Sequence, residues 1–279
     1  AGSKTTAATM ETAKEDFRRE LDILCTISNH PNIVDLCGIG FHETSKEPSG
    51  LLLGQIRSTL TKRIAKWRLE RGVGLYEAMA WDLPGRKNLW VERLVVLSRL
   101  AHAVQHMHSH KILFRDLKPD NVGFDAILDI PKLFDFGLAK RIQEESEDGL
   151  FHLTPDTGTL RYMAAEVGTG RPYGWGADVY SMSVLMHEVL SLKVPFGGVP
   201  PTQFREVVWT QEERLPLEET WPVAISNLLP RMWHSNPLER PTMEDVVTLL
   251  DTMLRGSDKD LFPTNLMTRG CGPLSLFTG

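Results

Sequence analysis

Four polar side chains in two segments of the chain have the types and the spacing that phosphoryl transfer requires. Asp116 can accept the proton of an attacking hydroxyl, and Lys118, two residues later, can neutralise charge on the moving phosphoryl group. Asn121 and Asp135 offer side-chain oxygens, which are the ligands that Mg²⁺ prefers. These residues therefore predict a magnesium-assisted site at which a hydroxyl attacks a phosphoryl group.

Two short strands would bring these segments together. Residues 122–124 directly follow Asn121 and residues 131–134 directly precede Asp135, and both stretches are mainly apolar on either side of a turn. If the two strands pair, Asn121 and Asp135 lie side by side over one metal site.

The two segments resemble the catalytic loop and the metal-binding loop of protein kinases. Residues 114–121 read Phe-Arg-Asp-Leu-Lys-Pro-Asp-Asn and residues 135–137 read Asp-Phe-Gly. The family pattern is His-Arg-Asp-Leu-x-x-x-Asn followed by Asp-Phe-Gly. Phe114 replaces the family's histidine, and a phenylalanine keeps the packing against Phe136 while it gives up a hydrogen bond. The resemblance implies ATP and Mg²⁺ as cofactors. It also implies three catalytic residues: Asp116, Lys118 and Asn121.

Further residues resemble the serine/threonine type of the family. Lys118 followed by proline is typical of loops directed at serine and threonine, and in that type Thr159 bonds both Asp116 and Lys118. The sequences at residues 29–34 and 162–164 are most similar to the tyrosine-kinase-like group. The resemblance covers about residues 14–255. It implies transfer of the γ-phosphate of ATP to a hydroxyl of a protein substrate.

The segment after Asp-Phe-Gly ends at Glu166, which in the family pairs with a distant arginine. Arg240 matches that arginine, whereas Ala165 replaces the family's proline. Such a pair would fix the end of the segment to the lower lobe. Because this pair and Thr159 serve a platform for protein substrates, they disfavour a small-molecule kinase.

The resemblance implies an α+β fold of two lobes, a small, partly missing, β-rich N-lobe and a large, mainly helical C-lobe. The expected boundaries are residues 1–56 for the truncated N-lobe, 57–255 for the C-lobe and 256–279 for a tail. Kinases carry a Gly-rich loop and a Val-Ala-Ile-Lys strand before the helix that holds Glu20. Neither precedes that helix here, so the chain looks like a fragment of a kinase domain.

The resemblance also assigns residues to the nucleotide. Glu20 is expected to pair with a strand lysine that grips the ATP phosphates. Lys4, sixteen residues earlier, is the candidate, although no apolar strand surrounds it; the alternative is an ordinary terminal lysine. Leu53 is expected to guard the back of the adenine pocket, and Gly54 and Ile56 to offer backbone groups to the adenine edge.

Arg115 is expected to face the segment after Asp-Phe-Gly and to need a negative partner there. Phosphate on Thr154 or Thr157 would supply one, because it adds about −1.5 to −2 charge and accepts a bidentate pair from arginine. Thr159 is committed to the catalytic loop. The alternative is that the acidic residues at 144–148 already satisfy Arg115, which would leave the enzyme constitutively active.

Composition limits the other classes of function. The 279 residues carry a net charge of −5 and a pI of about 6.0 without a long basic run, which argues against nucleic acid as a partner. The cysteines, Cys25, Cys37 and Cys271, fit neither a disulfide framework nor a zinc site, which favours a reducing, cytoplasmic location. No apolar run approaches the roughly 20 residues of a membrane span, and no secretory signal is present. The oligomeric state is open.

A pseudokinase, which uses the same fold for binding or scaffolding, is the alternative from another class. The intact set of Asp116, Lys118, Asn121 and Asp135 argues against it, whereas the missing glycine loop keeps it open.

Overall fold

The structure is a computed structural model that describes residues 2–44, 47–72, 89–143 and 146–256. Its strands gather in a small lobe and around the junction, and its helices form a large lobe, so the expected α+β architecture of two lobes is confirmed. Glycines and a proline predict a loop over residues 72–87. This loop, the acidic pair Glu144 and Glu145, and the predicted tail at 256–279 lie almost wholly outside the described residues.

In chain order the elements are α1 (Gly2–Ile27), β1 (Leu36–Phe41), β2 (Pro48–Leu53), β3 (Ile56–Thr59), α2 (Leu60–Gly72), α3 (Leu89–Ser109), β4 (Ile112–Leu113), β5 (Val122–Asp125), β6 (Pro131–Leu133), β7 (Lys140–Arg141), α4 (Ala165–Gly168), α5 (Gly176–Ser191), α6 (Val223–Met232) and α7 (Met243–Arg255). Short 3₁₀ turns lie at Pro119–Asn121, Leu160–Tyr162 and Pro237–Glu239, and a π-helical turn lies at Arg205–Thr210.

The small lobe consists of α1 and the antiparallel pair β1–β2, in which Leu36 faces Leu53. Ile23, Leu24 and Ile27 in the last two turns of α1 are fully buried, as the apolar spacing predicts. The small and polar residues 1–12 predict a frayed start. The helix nevertheless begins at Gly2, because no glycine or proline interrupts the stretch after Gly2.

A three-stranded antiparallel sheet, in the order β3–β5–β6, joins the two lobes. Val122 pairs with Leu133, which confirms the predicted strand pair on either side of a turn. The segment after α1 adds to the same sheet, since Ile33 bridges Leu133 and the backbone N–H of Val34 donates to the Leu133 carbonyl at 2.9 Å. The small lobe is therefore attached to the strand that leads directly to Asp135.

The large lobe is organised around α5, whose residues from Ala177 to Ser191 are all buried, as its nearly continuous apolar sequence predicts. Helix α3 packs between α5 and α7. Thr242 and Asp245 have the sequence spacing of a capping box, and the structure contains it: Thr242 accepts from the Asp245 N–H at 3.2 Å, and Asp245 accepts from the Thr242 N–H at 2.9 Å. Among the described helices, none combines the length and the apolar character that crossing a bilayer requires.

Candidate active site

The backbone of the catalytic loop is held from below by Asp178, in the first turn of α5. Its carboxylate accepts the backbone N–H groups of Phe114 and Arg115, both at 2.8 Å, and contacts Nε2 of His108 at 2.9 Å. Asp178 is fully buried. Arg115 adopts φ +69°, a conformation that costs energy for a residue with a Cβ. The buried carboxylate therefore fixes a strained turn just before Asp116.

Three side chains donate to the carboxylate of Asp116. Oδ2 accepts from Lys118 Nζ at 2.7 Å and from Asn121 Nδ2 at 2.9 Å, and Oδ1 accepts from Thr159 Oγ1 at 2.7 Å. Lys118 also donates to Thr159 Oγ1 at 2.9 Å. The geometry thus contains both of the contacts expected for Thr159. Asp116 is only 7% exposed, so this network fixes one orientation of a nearly buried carboxylate.

Asn121 and Asp135 meet at one end of the β5–β6 pair. The backbone N–H of Phe134 donates to the Asn121 carbonyl at 3.1 Å, which places Asp135 one residue further along. Asp135 is exposed and has φ +65°. Since the amide nitrogen of Asn121 is committed to Asp116, its amide oxygen is the atom left for a cation. One carboxylate and one amide oxygen fit Mg²⁺, which uses few protein ligands together with phosphate oxygens.

Glu20 on α1 reaches the Asp-Phe-Gly segment directly. Its carboxyl group lies near the backbone N–H of Phe136 and near the carboxylate of Asp135, and both act on its charge. Burial raises the pKa of Glu20, the charge of Asp135 raises it further, and the N–H of Phe136 acts in the opposite direction. Phe136 in turn packs edge-on against Phe114, with ring centroids 5.5 Å apart, as expected for the residue that replaces the family's histidine. Helix α1 is therefore coupled to the metal-binding loop.

Lys4 does not lie on a strand, because the backbone there already belongs to α1. Lys4 and Glu20 lie on one helix, sixteen residues apart. At 1.5 Å per residue this is about 24 Å along the axis, too far for an ion pair. Of the two alternatives, a helical backbone over both residues favours an ordinary lysine over a partner of Glu20, because pairing would need a strand and a sharp turn between them.

The expected adenine contacts are changed by two observations. The backbone N–H of Gly54 already donates to the Asp35 carbonyl at 2.8 Å, so it cannot serve an adenine edge. Ile56 lies in β3 opposite Asp125, and its side chain covers Gly123, where an added Cβ would sit 2.4 Å from Ile56 Cγ2. The space above Gly123 is thus filled by Ile56. Leu53 is half-buried in β2.

The guanidinium of Arg115 faces the segment after Asp-Phe-Gly, as expected. It donates to the Leu138 carbonyl at 2.6 Å and to the hydroxyl of Tyr173 at 3.2 Å. That hydroxyl donates to the Thr154 carbonyl at 2.8 Å. Within the described ranges no carboxylate lies within ion-pair distance of Arg115. Tyr173 escaped sequence analysis because nothing in its local pattern marks a partner nineteen residues earlier.

The two candidate phosphorylation sites differ in accessibility. Thr154 is exposed, whereas Thr157 is buried and its hydroxyl donates to the Thr154 carbonyl at 3.0 Å. In the acidic run, Asp148 accepts from the Ser146 hydroxyl at 2.6 Å and from the Leu150 N–H at 3.0 Å, within its own turn. The geometry favours Thr154 over Thr157 as an acceptor of phosphate.

The end of this segment is fixed by the predicted pair of Glu166 and Arg240. Two parallel contacts, at 2.5 and 3.1 Å, join the guanidinium and the carboxylate, and both side chains are buried. Arg240 also donates to the carbonyls of His234 and Gly176. This bidentate pair is confirmed, and Ala165 in place of proline does not prevent it.

Comparisons with known proteins identify relatives of this chain. The family model described as "Protein kinase domain" matches residues 3–249. The chain is 35% identical over 248 residues to the probable serine/threonine-protein kinase gdt4 of Dictyostelium discoideum, covering 87% of this chain and 14% of that protein. It is 28% identical over 278 residues to mitogen-activated protein kinase kinase kinase 7 of Homo sapiens, covering 96% of this chain and 41% of that protein. The chain thus spans less than half the length of these curated relatives.

Proposed function

Because the chain belongs to the protein kinase domain family, we propose that it transfers the γ-phosphate of ATP to serine or threonine hydroxyls of proteins. Asp116 accepts the proton of the substrate hydroxyl and orients it, and Lys118 stabilises charge on the transferred group. Asn121 and Asp135 would hold Mg²⁺, which neutralises phosphate charge when bound. Positioning and electrostatics therefore account for most of the catalysis.

The observation that carries this proposal is the set of three donors on Asp116. A carboxylate that must receive a proton from a passing hydroxyl needs a fixed orientation before the substrate arrives. Lys118, Asn121 and Thr159 provide that orientation with contacts of 2.7 to 2.9 Å. A fold kept only for scaffolding has no need of such a network.

The preference for serine and threonine is supported by Thr159. Its hydroxyl bridges Asp116 and Lys118, which is the arrangement that the serine/threonine type of the family implies. Of the two curated relatives above, one is named a probable serine/threonine-protein kinase and the other a mitogen-activated protein kinase kinase kinase.

For the nucleotide we propose a revised set of contacts. Leu53 and Ile56 are half-buried at the junction of the two sheets, so their apolar side chains are the proposed walls for the adenine ring. Gly54 is left with its carbonyl as the only backbone group to offer. Glu20 is proposed to act through Phe136 and Asp135, since no lysine among the described residues pairs with it.

A cytoplasmic, reducing location is part of the proposal. Cys25 and Cys37 are both exposed and free, whereas a protein of an oxidising compartment would be expected to pair such thiols. Protein substrates and ATP are the proposed partners, and the acidic net charge of −5 does not favour nucleic acid.

The direct test is a transfer assay on the full-length protein with γ-labelled ATP, Mg²⁺ and peptides that offer serine, threonine or tyrosine. We expect label on serine and threonine only. Asp129→Asn, which changes an exposed carboxylate on the β5–β6 turn, serves as a matched control and should keep full activity. Label on tyrosine alone would overturn the proposed specificity, and no transfer to any peptide or to the protein itself would overturn the proposed activity.

We also propose that phosphate on Thr154 regulates this activity. Thr154 is exposed, and its carbonyl is linked through the Tyr173 hydroxyl to Arg115. A phosphate there would bring two negative charges close to a guanidinium that contacts only neutral acceptors among the described residues. Thr157, whose hydroxyl is buried and already bonded, is proposed to hold the segment rather than to accept phosphate.

This regulation is tested with Thr154→Val, which keeps the β-branched shape but cannot be phosphorylated. Thr252→Val, an exposed threonine on α7, is the matched control. Phosphatase treatment should lower the activity of the parent and of the control severalfold and leave Thr154→Val unchanged. Equal loss of activity in all three proteins would mean that the activating phosphate lies on a residue other than Thr154.

A further inference from the structure

Tyr173 connects three parts of the molecule although it belongs to none of the motifs described above. Its side chain is fully buried. Its backbone forms an antiparallel bridge with Phe151, with N–H to carbonyl distances of 3.0 Å in both directions. Its hydroxyl donates to the Thr154 carbonyl and accepts from Arg115 Nη1. One residue thus holds the segment at 151–154 by its backbone and by its side chain.

The hydroxyl of Tyr173 acts both as a hydrogen-bond donor and as a hydrogen-bond acceptor. A buried phenol requires a partner, and this one has an acceptor on one side and a charged donor on the other. Arg115 receives from it a second neutral acceptor besides the Leu138 carbonyl. Nε and Nη1 of the guanidinium are therefore bonded to neutral acceptors, and no described residue gives it a negative partner.

From this arrangement we propose that Tyr173 is a positioning residue, whose hydroxyl ties Arg115 to the Thr154 carbonyl and so holds residues 151–157 against the catalytic loop before any phosphate is present. The consequence for activity rests on the proposed kinase function, whereas the consequence for the order of the segment does not. Phosphate on Thr154 then adds to a segment that is already in place.

The segment that Tyr173 holds is followed by Gly158 and Thr159, which lie against the catalytic loop at Arg115 and Asp116. Gly158 lies so close to the catalytic loop that a Cβ on it would sit 2.4 Å from the Arg115 carbonyl, and its φ is +108°. The next residue, Thr159, donates to Asp116 at 2.7 Å. A shift at residues 154–157 therefore displaces the hydroxyl that orients Asp116.

The test compares Tyr173→Phe with Tyr180→Phe in the full-length protein after phosphatase treatment. Both variants remove one oxygen from a buried tyrosine, but Tyr180 lies over Arg240, with 5.2 Å between the guanidinium carbon and the ring centroid. We expect amide hydrogen exchange at residues 151–158 to become about 3- to 10-fold faster in Tyr173→Phe, since a net hydrogen bond corresponds to roughly that factor. Tyr180→Phe should leave exchange in this segment unchanged.

Activity gives a second readout that general loss of stability would not reproduce. In Tyr173→Phe the kcat per folded molecule should fall about 3- to 10-fold while the KM for ATP stays the same, because the displaced Thr159 hydroxyl no longer orients Asp116. Arg115→Gln, which removes the donor from the other side, should accelerate exchange in the same segment and serves if Tyr173→Phe does not fold. Unchanged exchange at 151–158 in the folded variants would overturn the proposal. Faster exchange without any transferase activity in the parent would support it and reject only the kinase function.

Discussion

Asp116 and Asp135 are the two carboxylates of the proposed site, and they differ in burial and in hydrogen bonding. Asp116 is 7% exposed and accepts from Lys118, Asn121 and Thr159. Asp135 is exposed, adopts φ +65° and makes no hydrogen bond or ion pair with any residue that the structure describes. Its near neighbour is another carboxylate, that of Glu20.

The difference follows from what each carboxylate is proposed to do. A group that receives a proton must stand in one place, and a network of short hydrogen bonds provides this. A group that binds a cation must keep its oxygens available, and a second carboxylate nearby makes the site more attractive for positive charge. The side of the site that meets the substrate hydroxyl is thus organised by the chain itself. The side that meets metal and phosphate is organised for a cation to complete.

The largest effect should come from Asp116→Asn. The variant keeps the shape but loses the group that accepts the proton, so turnover should fall by about 10²- to 10⁴-fold. Affinity for Mg·ATP, measured by calorimetry, should remain close to that of the parent, because Asp135 is unchanged and Asn121 keeps its hydrogen bond to the backbone carbonyl of residue 116. Asp129→Asn is the control. If nucleotide binding fell by the same factor as turnover, Asp116 would contribute to both sides of the site, and the contrast between the two carboxylates would be wrong.

Asp135→Asn should abolish the stabilisation that Mg·ATP gives. Asparagine tolerates the left-handed conformation, so the substitution removes charge without adding backbone strain. At a ligand concentration of 100 times Kd the parent should gain about 2.7 kcal/mol of unfolding free energy. The variant should gain almost none at the same concentration, as read from thermal melts with and without Mg²⁺. A gain equal to that of the parent would place the metal elsewhere.

The sequence predicted the substrate-facing side better than the nucleotide-facing side, and the reason is local spacing. Asp116, Lys118 and Asn121 fall within six residues, so one 3₁₀ turn at Pro119–Asn121 brings them together. Thr159 lies 43 residues away from Asp116 and was found only through the family resemblance. The pair of Glu166 and Arg240 was found in the same way.

The errors came from contacts that depend on backbone direction rather than on residue type. Lys4 was one candidate for the strand lysine, but the backbone there is helical. Backbone groups of Gly54 were expected at the adenine edge, but its N–H already donates to the carbonyl of Asp35, just before β1. The space above Gly123 is filled by Ile56, which β3 brings there through strand pairing. No local pattern reveals which backbone groups a sheet will consume.

Thr159→Val should have a smaller effect than either change of a carboxylate. The variant keeps its volume but removes the hydroxyl that donates to Asp116 and accepts from Lys118. Two of the three donors to Asp116 remain, so kcat should fall by about 10-fold, close to the value of one hydrogen bond to a charged group. Steady-state kinetics at saturating ATP measure this. A fall as large as that of Asp116→Asn would mean that the network acts as one unit, and no fall would mean that Thr159 plays no part in orienting Asp116.

The smallest effect is expected for Glu20. It tests whether repulsion between the carboxylates of Glu20 and Asp135 destabilises the metal-facing side of the site. Burial and the charge of Asp135 raise the pKa of Glu20 above its ordinary value of 4.5. A carboxyl group with a raised folded-state pKa favours folding below its unfolded pKa, and this contribution is lost as the pH rises through the folded pKa.

Glu20→Gln keeps an acceptor for the Phe136 N–H and removes the charge. The variant should therefore be slightly more stable than the parent at pH 7, by less than about 1 kcal/mol because the group is half-exposed to solvent. This gain should vanish at pH 4 and below, where the parent is protonated as well. Urea unfolding of the nucleotide-free protein between pH 4 and pH 8 measures it, with Glu15→Gln on the exposed face of α1 as the control. If Glu20→Gln is instead less stable at pH 7, Glu20 has a cationic partner, and the contrast between an organised side and a side completed by a cation no longer holds.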